Sequence, residues 1–275
     1  MLCSRLVPSL LSIAGVLIVA CGGDLRPSSV DVEVRDGRVR FVDDDGDLLD
    51  TGELTGMVLT VLDPRERATR VRVDSQVEAS GIPGDPLTLY EVSRWDERAN
   101  RWVSYCERGP DGRASAMALP GRWREGGASF SESPGDFTLT CTAGANGKCA
   151  RMGFVPGLLT AEGESLTPYF KACVRMMRAD YCGDGRSFTR AGVPVELLDR
   201  AGRQPLWSDR DLTFEASWGP EGAVCVHHPR DGDLDVGALT ESCPRLTGAV
   251  GPGCSENALL SEPGVLLINR SPQPE

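Results

Sequence analysis

Ten cysteines are the most informative reactive side chains in this 275-residue sequence. Cys3 lies just before an apolar N-terminal stretch, and Cys21 directly follows that stretch. The remaining eight are Cys106, Cys141, Cys149, Cys173, Cys182, Cys225, Cys243 and Cys254. An even number of cysteines in an exported chain is typical of a disulfide framework. Because no Cys-x-x-Cys spacing occurs, we expect four disulfides rather than a cysteine-rich metal site.

The sequence restricts the pairing of these cysteines only partly, because eight cysteines allow about 105 arrangements. If the segment from Cys173 to Cys182 is helical, it separates the two residues by about 13 Å. A disulfide requires Cα atoms within roughly 7 Å, so these two cysteines should reach different partners and hold the helix at both ends. We predict the pairs Cys106–Cys141 and Cys243–Cys254, with Cys149, Cys173, Cys182 and Cys225 paired among themselves.

Two carboxylates and two histidines are the candidate catalytic residues. Asp180 or Asp184, paired with His227 or His228, would give a carboxylate that orients a histidine base, as in many hydrolases. However, no Gly-x-Ser-x-Gly motif supplies a nucleophile, and cysteines held in disulfides cannot attack a substrate. We therefore expect no enzyme activity and interpret Asp180 as an acceptor for backbone N–H groups in a turn. An envelope hydrolase is the alternative.

A run of acidic residues near the N-terminus suggests a second kind of site. Asp43, Asp45 and Asp47 alternate and carry the hard oxygen ligands that Ca²⁺ prefers. The EF-hand loop, however, has glycine at its sixth position and glutamate at its twelfth. Counted from Asp43, this run has Gly46 at the fourth position and Leu54 at the twelfth. We interpret the run as a solvated turn and expect no metal and no cofactor, with a calcium-stabilised domain as the alternative.

The first residues resemble a lipoprotein signal peptide, with Arg5 followed by an apolar run that ends at Ala20. Ile18 to Cys21 resembles a lipobox, which predicts removal of residues 1–20 and lipidation of Cys21. Residues 21–29 would then be the lipid anchor and a polar tether, and more than one acyl chain anchors a protein stably. Gly22 after the lipidated cysteine favours the outer membrane of the cell envelope.

The composition excludes some partners and favours a β-rich fold. A net charge of −11 without a basic cluster argues against nucleic acid and anionic lipid surfaces. The expected partners are therefore the membrane, through the lipid on Cys21, and an unknown protein or glycan. The 32 glycines and 19 prolines predict many turns and short elements.

Residues 30–145 are predicted to form antiparallel sheets of a sandwich-like type. A hairpin should turn at Asp36–Gly37, since a two-residue turn favours this pair. Further strands are expected at 57–62, 70–73, 87–92, 101–105 and 137–141, ending in a loop at 143–147. Trp95, Trp102 and Trp123 are interpreted as core or cross-strand packing rather than a ligand platform.

One main α-helix is expected at about 168–180, capped by Thr167 and stopped by Gly183 and Gly185. Its predicted apolar face comprises Phe170, Cys173, Val174, Met177 and Tyr181. Arg175 and Arg178 should lie largely on the opposite side. Strands follow at 192–199, 212–218, 223–226 and 264–268, and residues 272–275 form a tail. The predicted fold is thus α+β and mostly β, with an exposed aromatic patch at Trp207 or Trp218.

The helix ends in Ala179-Asp180-Tyr181-Cys182, which reads A-D-Y-C. This signature resembles that of the ADYC-domain family of bacterial, myxobacterial-type lipoproteins. The resemblance covers Phe137 to Arg270 and includes further blocks: Gly147–Cys149, Arg186–Arg190, Phe214–Pro220 and Gly222–Cys225. It implies an ADYC-type domain at 146–271 in a non-catalytic binding or structural envelope protein, and it implies no particular reaction.

Overall fold

The computed structural model describes residues 31–35, 38–42, 48–49, 54–62, 67–79, 87–109, 111–123, 130–131, 136–204, 211–256 and 259–273. In these residues the fold is α+β and mostly β, as predicted. Several predicted features lie outside the described residues: the signal peptide and tether at 1–29 with the lipidation site Cys21, the turn residues Asp36 and Gly37, the acidic run Asp43, Asp45 and Asp47, and Trp207. Lipidation and calcium binding therefore stay predictions.

The N-terminal half consists of short antiparallel strands. They are β1 (Asp31–Arg35), β2 (Arg38–Val42), β3 (Leu48–Leu49), β4 (Val58–Leu62), β5 (Ala68–Ala79), β6 (Leu87–Asp96), β7 (Arg101–Ser104), β8 (Ser115–Pro120), β9 (Arg122–Trp123), β10 (Phe130–Ser131) and β11 (Phe137–Cys141). Strands β1 and β2 pair with Arg35 opposite Arg38, which confirms the predicted hairpin. The largest sheet has the order β11-β8-β6-β5-β4, with β7 also paired to β6.

The large sheet is covered on both faces along part of β6 and β8. Successive side chains of a strand point to opposite faces, so the two faces enter two different cores. Tyr90 and Val92 pack with Val71 and Val73 in one core. Leu87 and Leu89 belong to the main core, which also contains residues of the C-terminal half. One face of the large sheet therefore packs against the C-terminal half of the chain.

The tryptophans of this half pack as predicted. Trp95 and Trp102 are directly opposite each other on β6 and β7, with ring centroids 5.4 Å apart in an edge-to-face arrangement. Trp123 is buried and contacts Phe170, with centroids 4.6 Å apart. In contrast, the expected exposed patch at Trp218 is wrong, because Trp218 has no exposed surface.

The C-terminal half combines helices with a smaller sheet. Its elements are α1 (Ala145–Arg151), α2 (Thr167–Arg178), β12 (Glu196–Asp199), β13 (Thr213–Gly219), β14 (Gly222–Val226), α3 (Val236–Ser242) and β15 (Leu267–Ser271), with 3₁₀ turns at Pro244–Leu246 and Leu259–Ser261. The sheet order is β12-β15-β13-β14, all antiparallel. The loop predicted at 143–147 is wrong in part, because α1 begins at Ala145. Gly147 allows this helix to approach the strand end, since a Cβ there would lie 2.2 Å from the carbonyl oxygen of Cys141.

Helix α2 is the predicted main helix, but two details differ. Its N-cap is Leu166 without a side-chain cap, and Thr167 instead accepts a 3.3 Å hydrogen bond from the Gly157 N–H. Arg175 is 4% exposed rather than on the solvent side. Its guanidinium is buried because it binds the carboxylate of Asp180 and the carbonyl oxygen of Pro220.

Four disulfides join the eight predicted cysteines. Cys106–Cys141 is confirmed. Cys149–Cys173 attaches the middle of α2 to α1, and Cys182–Cys243 joins the segment after α2 to the end of α3, so the helix is not held at both ends as predicted. The predicted pair Cys243–Cys254 is wrong, because Cys254 pairs with Cys225. The expectation that Cys182 and Cys225 pair within their group of four is wrong as well, since Cys182 pairs with Cys243. The physical reason is the path of the intervening chain: Val250 forms a β-bridge with Val226 and carries Cys254 to β14, while Cys243 stays at the end of α3.

Candidate functional site

The ADYC signature begins where α2 ends. Ala179 is in the left-handed conformation, with φ 49° and ψ 40°, and its N–H donates to the carbonyl oxygen of Met176. The Asp180 N–H donates to the carbonyl oxygen of Arg175 at 2.8 Å. These bonds satisfy two of the last four carbonyls of the helix and reverse the chain. Ala179 is fully buried, so the reversal takes place inside the core.

Asp180 fixes the geometry of the following turn. Its carboxylate accepts hydrogen bonds from the backbone N–H groups of Asp184 and Gly185 at 3.1 and 2.9 Å. It also forms a 2.7 Å ion pair with Nη1 of Arg175, whose Nε reaches the carbonyl oxygen of Pro220. The predicted role of Asp180 as a turn acceptor is confirmed. Through Arg175 the same carboxylate also ties the turn to the β13–β14 hairpin.

Tyr181 enters a polar cluster inside the core. Its hydroxyl donates to Oε1 of Glu215 at 2.9 Å and accepts from the backbone N–H of Arg230 at 2.7 Å. Its ring stacks on Trp218 with centroids 5.3 Å apart. Burial, and next the nearby Glu215 carboxylate, raise the pKa of Tyr181 well above its ordinary value, because both disfavour the phenolate.

Glu215 and Arg230 form the centre of this cluster. Nε and Nη2 of Arg230 donate to the two carboxylate oxygens of Glu215 at 2.9 and 3.0 Å. Nδ2 of Asn269 donates to Oε2 of Glu215 at 2.7 Å, and Nε1 of Trp218 donates to Oδ1 of Asn269 at the same distance. A buried ion pair is tolerated when its remaining hydrogen-bonding positions are also filled, and this cluster meets that condition.

Arg230 also binds the end of α2. Its Nη2 donates to the carbonyl oxygen of Met176 at 2.9 Å, and Nη1 donates to that of Met177 at 3.3 Å. A cation at the C-terminal end of a helix pairs favourably with the helix dipole. The Glu215–Arg230 pair thus connects β13 to the helix that carries the ADYC signature.

The fourth signature residue, Cys182, is joined to α3 by its disulfide with Cys243. Next to this bond, Arg245 donates to the carbonyl oxygens of Tyr181, Cys182 and Ala223. Burial, and next the Arg175 guanidinium, lower the pKa of Arg245. The backbone of the signature is therefore fixed by both a covalent bond and a cation.

Two glycines allow the signature to pack directly on the β13–β14 turn. A Cβ on Gly183 would lie 1.9 Å from the carbonyl oxygen of Glu221, and one on Gly222 would lie 2.8 Å from that of Tyr181. Both residues have positive φ, 74° and 124°, which side chains disfavour. Only glycine therefore fits these positions without movement of the backbone.

The candidate catalytic residues are not brought together. His227 hydrogen-bonds through Nδ1 to the carbonyl oxygen of Cys254, and His228 contacts Thr213 and Pro229. Asp184 binds the guanidinium of Arg186. Within the described residues, neither Asp180 nor Asp184 forms a hydrogen bond with either histidine. Catalysis by these groups stays a prediction, and the geometry does not favour it.

Sequence reasoning missed Glu215, Arg230 and Asn269. Glu215 had the clearest signal, because it is the one charged residue in the mainly apolar segment Phe214–Trp218. A charge in a buried strand requires a partner, which should direct attention to arginines elsewhere in the chain. The partner itself is Arg230, which follows Pro229 in a loop. The neighbouring residues form no pattern that would predict a buried side chain at Arg230.

Two further properties concern the described part of the chain. In it, no group of three or more histidine, cysteine or acidic residues is arranged to hold a metal ion. None of its helices is long and apolar enough to cross a membrane.

Comparison with known proteins identifies the family. The model of the ADYC domain matches residues 51–232, which include most strands of the N-terminal half as well as α1, α2 and the signature. No curated protein matches the chain, and no solved structure does. The match extends across the predicted junction near residue 145 and covers well over half of the sequence. The chain belongs to the ADYC-domain family.

Proposed function

We propose that this chain is an exported, lipid-anchored cell-envelope protein whose ADYC domain acts as a non-catalytic binding or structural module. The observation that supports a non-catalytic role is that the polar side chains of the ADYC signature are buried and bonded to other residues of the core. Asp180 and Tyr181 have no exposed surface, and their polar atoms are bonded to Arg175, Glu215 and Arg230 within the core. Groups enclosed in this way hold chain segments together and do not meet a substrate.

The disulfides support the exported location. All eight cysteines from Cys106 onward are oxidised in pairs. Disulfides form and persist in oxidising compartments and are rare in a reducing cytosol. The lipobox-like residues Ile18 to Cys21 support anchoring, because a diacylated cysteine with a further acyl chain supplies more than the two chains that stable anchoring needs.

Lipidation is tested with two cysteine variants that differ only in position. The full-length protein is produced in a bacterium with lipoprotein processing, labelled with an alkyne fatty acid and fractionated. Cys21→Ala should lose the label and leave the membrane fraction, while Cys3→Ala should keep both, since Cys3 lies in the segment that is removed. A label retained by Cys21→Ala contradicts the proposal. Density-gradient separation of the two membranes then tests the outer-membrane location.

The oxidised state is tested on the same purified protein. Thiol alkylation without reductant, followed by intact-mass measurement, should add no label to the cysteines from Cys106 to Cys254. Two or more labels would show that free thiols survive export. That result would return attention to metal binding and to the hydrolase alternative.

A further inference from the structure

A cleft of about 380 Å³ opens beside the C-terminal end of α2. Its walls come from α1, from the last residues of α2 and from the segment 187–195. Ligand sites in proteins have volumes of about 300–1,000 Å³, so the cleft has room for a small molecule. Of the buried polar cluster around Glu215, only Arg230 also lines this cleft.

The lining of this cleft is cationic, with side chains from Lys148, Arg178, Arg190 and Arg230. Two of these are neutralised: Arg230 by Glu215 and Arg190 by Asp231, at 2.9 and 3.0 Å. Among the described residues, no carboxylate lines the cleft, and none lies within ion-pair distance of Lys148 or Arg178. The cleft therefore holds two uncompensated positive charges, although the whole chain has a net charge of −11.

Arg178 is held in place and incompletely paired. Its Nη2 donates to the carbonyl oxygen of Gly185 at 2.8 Å, which fixes the guanidinium at the cleft wall. Its Nε is buried and has no hydrogen-bond partner in the described part of the chain. Because Nε is buried, a ligand in the cleft would pair with the accessible part of the Arg178 guanidinium and not with Nε. Guanidinium groups match carboxylate and phosphate oxygens particularly well.

Part of the cleft wall is apolar. Met177, Val193 and Val195 contribute to the same cleft. A ligand that fills the cleft would place apolar atoms against these side chains and its charged group near Arg178 and Lys148. The cleft thus combines an apolar wall segment with charged groups that can fix the orientation of a small molecule.

We propose that this cleft binds a small organic anion, whose carboxylate or phosphate group pairs with Lys148 and Arg178. The apolar part of the ligand packs against Met177, Val193 and Val195. This inference rests on the proposed binding role and gives that role a ligand class. Higher salt weakens binding, because mobile ions screen charges at the open side of the cleft.

The test is calorimetric titration of the full-length protein in non-ionic detergent. The probes are butyrate and butyl phosphate, with butyramide as the neutral analogue of butyrate. Lys148→Gln and Arg98→Gln each remove one positive charge from an exposed side chain, and only the first lies at the cleft. We expect saturable binding of at least one anion, no binding of butyramide, and affinity at least tenfold lower for Lys148→Gln with Arg98→Gln unchanged.

Two results overturn the inference: neither anion saturates the wild-type protein, or Lys148→Gln binds as well as Arg98→Gln. Preference for butyrate or butyl phosphate identifies the charged group and supports the inference in either case. The lipid and disulfide assays do not depend on this titration. An acylated, fully oxidised protein that binds neither anion would therefore refute the anion site and leave the proposed anchoring unaffected.

Discussion

The hydroxyl of Tyr181 and the carboxylate of Glu215 are joined by a 2.9 Å hydrogen bond between two residues with no exposed surface. Tyr181 follows α2, whereas Glu215 lies in the middle of β13. The bond therefore connects the signature to the small sheet. Because Arg230 and Asn269 bind the same carboxylate, Glu215 is the point at which four separate parts of the chain meet.

Replacing Glu215 should be among the most damaging polar substitutions. Glu215→Gln leaves the Arg230 guanidinium buried without its counter-charge, which typically costs about 3–5 kcal/mol of unfolding free energy. Asp184→Asn, which removes the exposed pair with Arg186, is the control and should cost at most about 1 kcal/mol. Urea denaturation of both variants and the wild type measures these losses. Equal losses would show that the buried pair does not stabilise the fold.

Tyr181 should make stability depend on alkaline pH. Its pKa is raised in the folded state, so above about pH 10 the unfolded chain loses this proton first and binds fewer protons than the folded chain. Stability therefore falls as pH rises through this range. Tyr181→Phe should be less stable at pH 8 but should lose stability less steeply between about pH 9 and pH 11, by urea denaturation. Identical slopes for the two proteins would contradict the assignment.

Gly222 should tolerate no side chain. Both Gly222→Ala and Gly163→Ala place a residue at positive φ, which costs about 1–2 kcal/mol. Only at Gly222 does the new Cβ overlap its surroundings, since nothing lies within 4 Å of the corresponding position at Gly163. We expect Gly222→Ala to cost about 1–3 kcal/mol more than Gly163→Ala, because neighbouring atoms must move. Equal melting temperatures for the two variants would refute the close approach to Tyr181.

The Cys182–Cys243 disulfide should stabilise the turn that Asp180 organises. Cys182→Ala with Cys243→Ala should lower the unfolding free energy by about 2–5 kcal/mol. Hydrogen exchange of the Asp184 and Gly185 amides, which donate to Asp180, should also become faster. The control pair Cys106→Ala with Cys141→Ala should leave these two amides protected, because that disulfide lies in the N-terminal sheet. Unchanged exchange in the first variant would show that the turn does not need the disulfide.

Short sequence patterns correctly predicted the elements that depend on neighbouring residues. The hairpin at Asp36–Gly37, the helix that starts near Pro168 and the turn at Asp180 each depend on residues a few positions apart. Strand β8, Ser115–Pro120, was missed because its alanines, methionine and proline lack the β-branched side chains that mark strands. It becomes a strand because it pairs with β6 and β11 and is buried on both faces.

Disulfide pairing and the buried cluster depend on tertiary contacts. Cys243 and Cys254 are close in sequence, but the bridge between Val226 and Val250 carries Cys254 to Cys225. Helix periodicity alone predicts Arg175 on the solvent side, because it takes no account of Asp180, which binds the Arg175 guanidinium. Glu215 and Arg230 are separated by the end of β13, the hairpin turn and the whole of β14. Their pairing follows from the return of the chain after β14, which no short window of sequence contains.

The partners of the signature extend beyond the stretch that defines the family. Cys182 is bonded to Cys243, its backbone is held by Arg245, and the Glu215 cluster is completed by Asn269. All three partners follow residue 232, where the family match ends. A gene fragment cut at that boundary would encode an ADYC signature whose Cys182 thiol is unpaired and a Glu215 carboxylate that is buried but incompletely hydrogen-bonded. A segment transferred to another protein would therefore have to extend at least to Asn269 to keep all of these contacts.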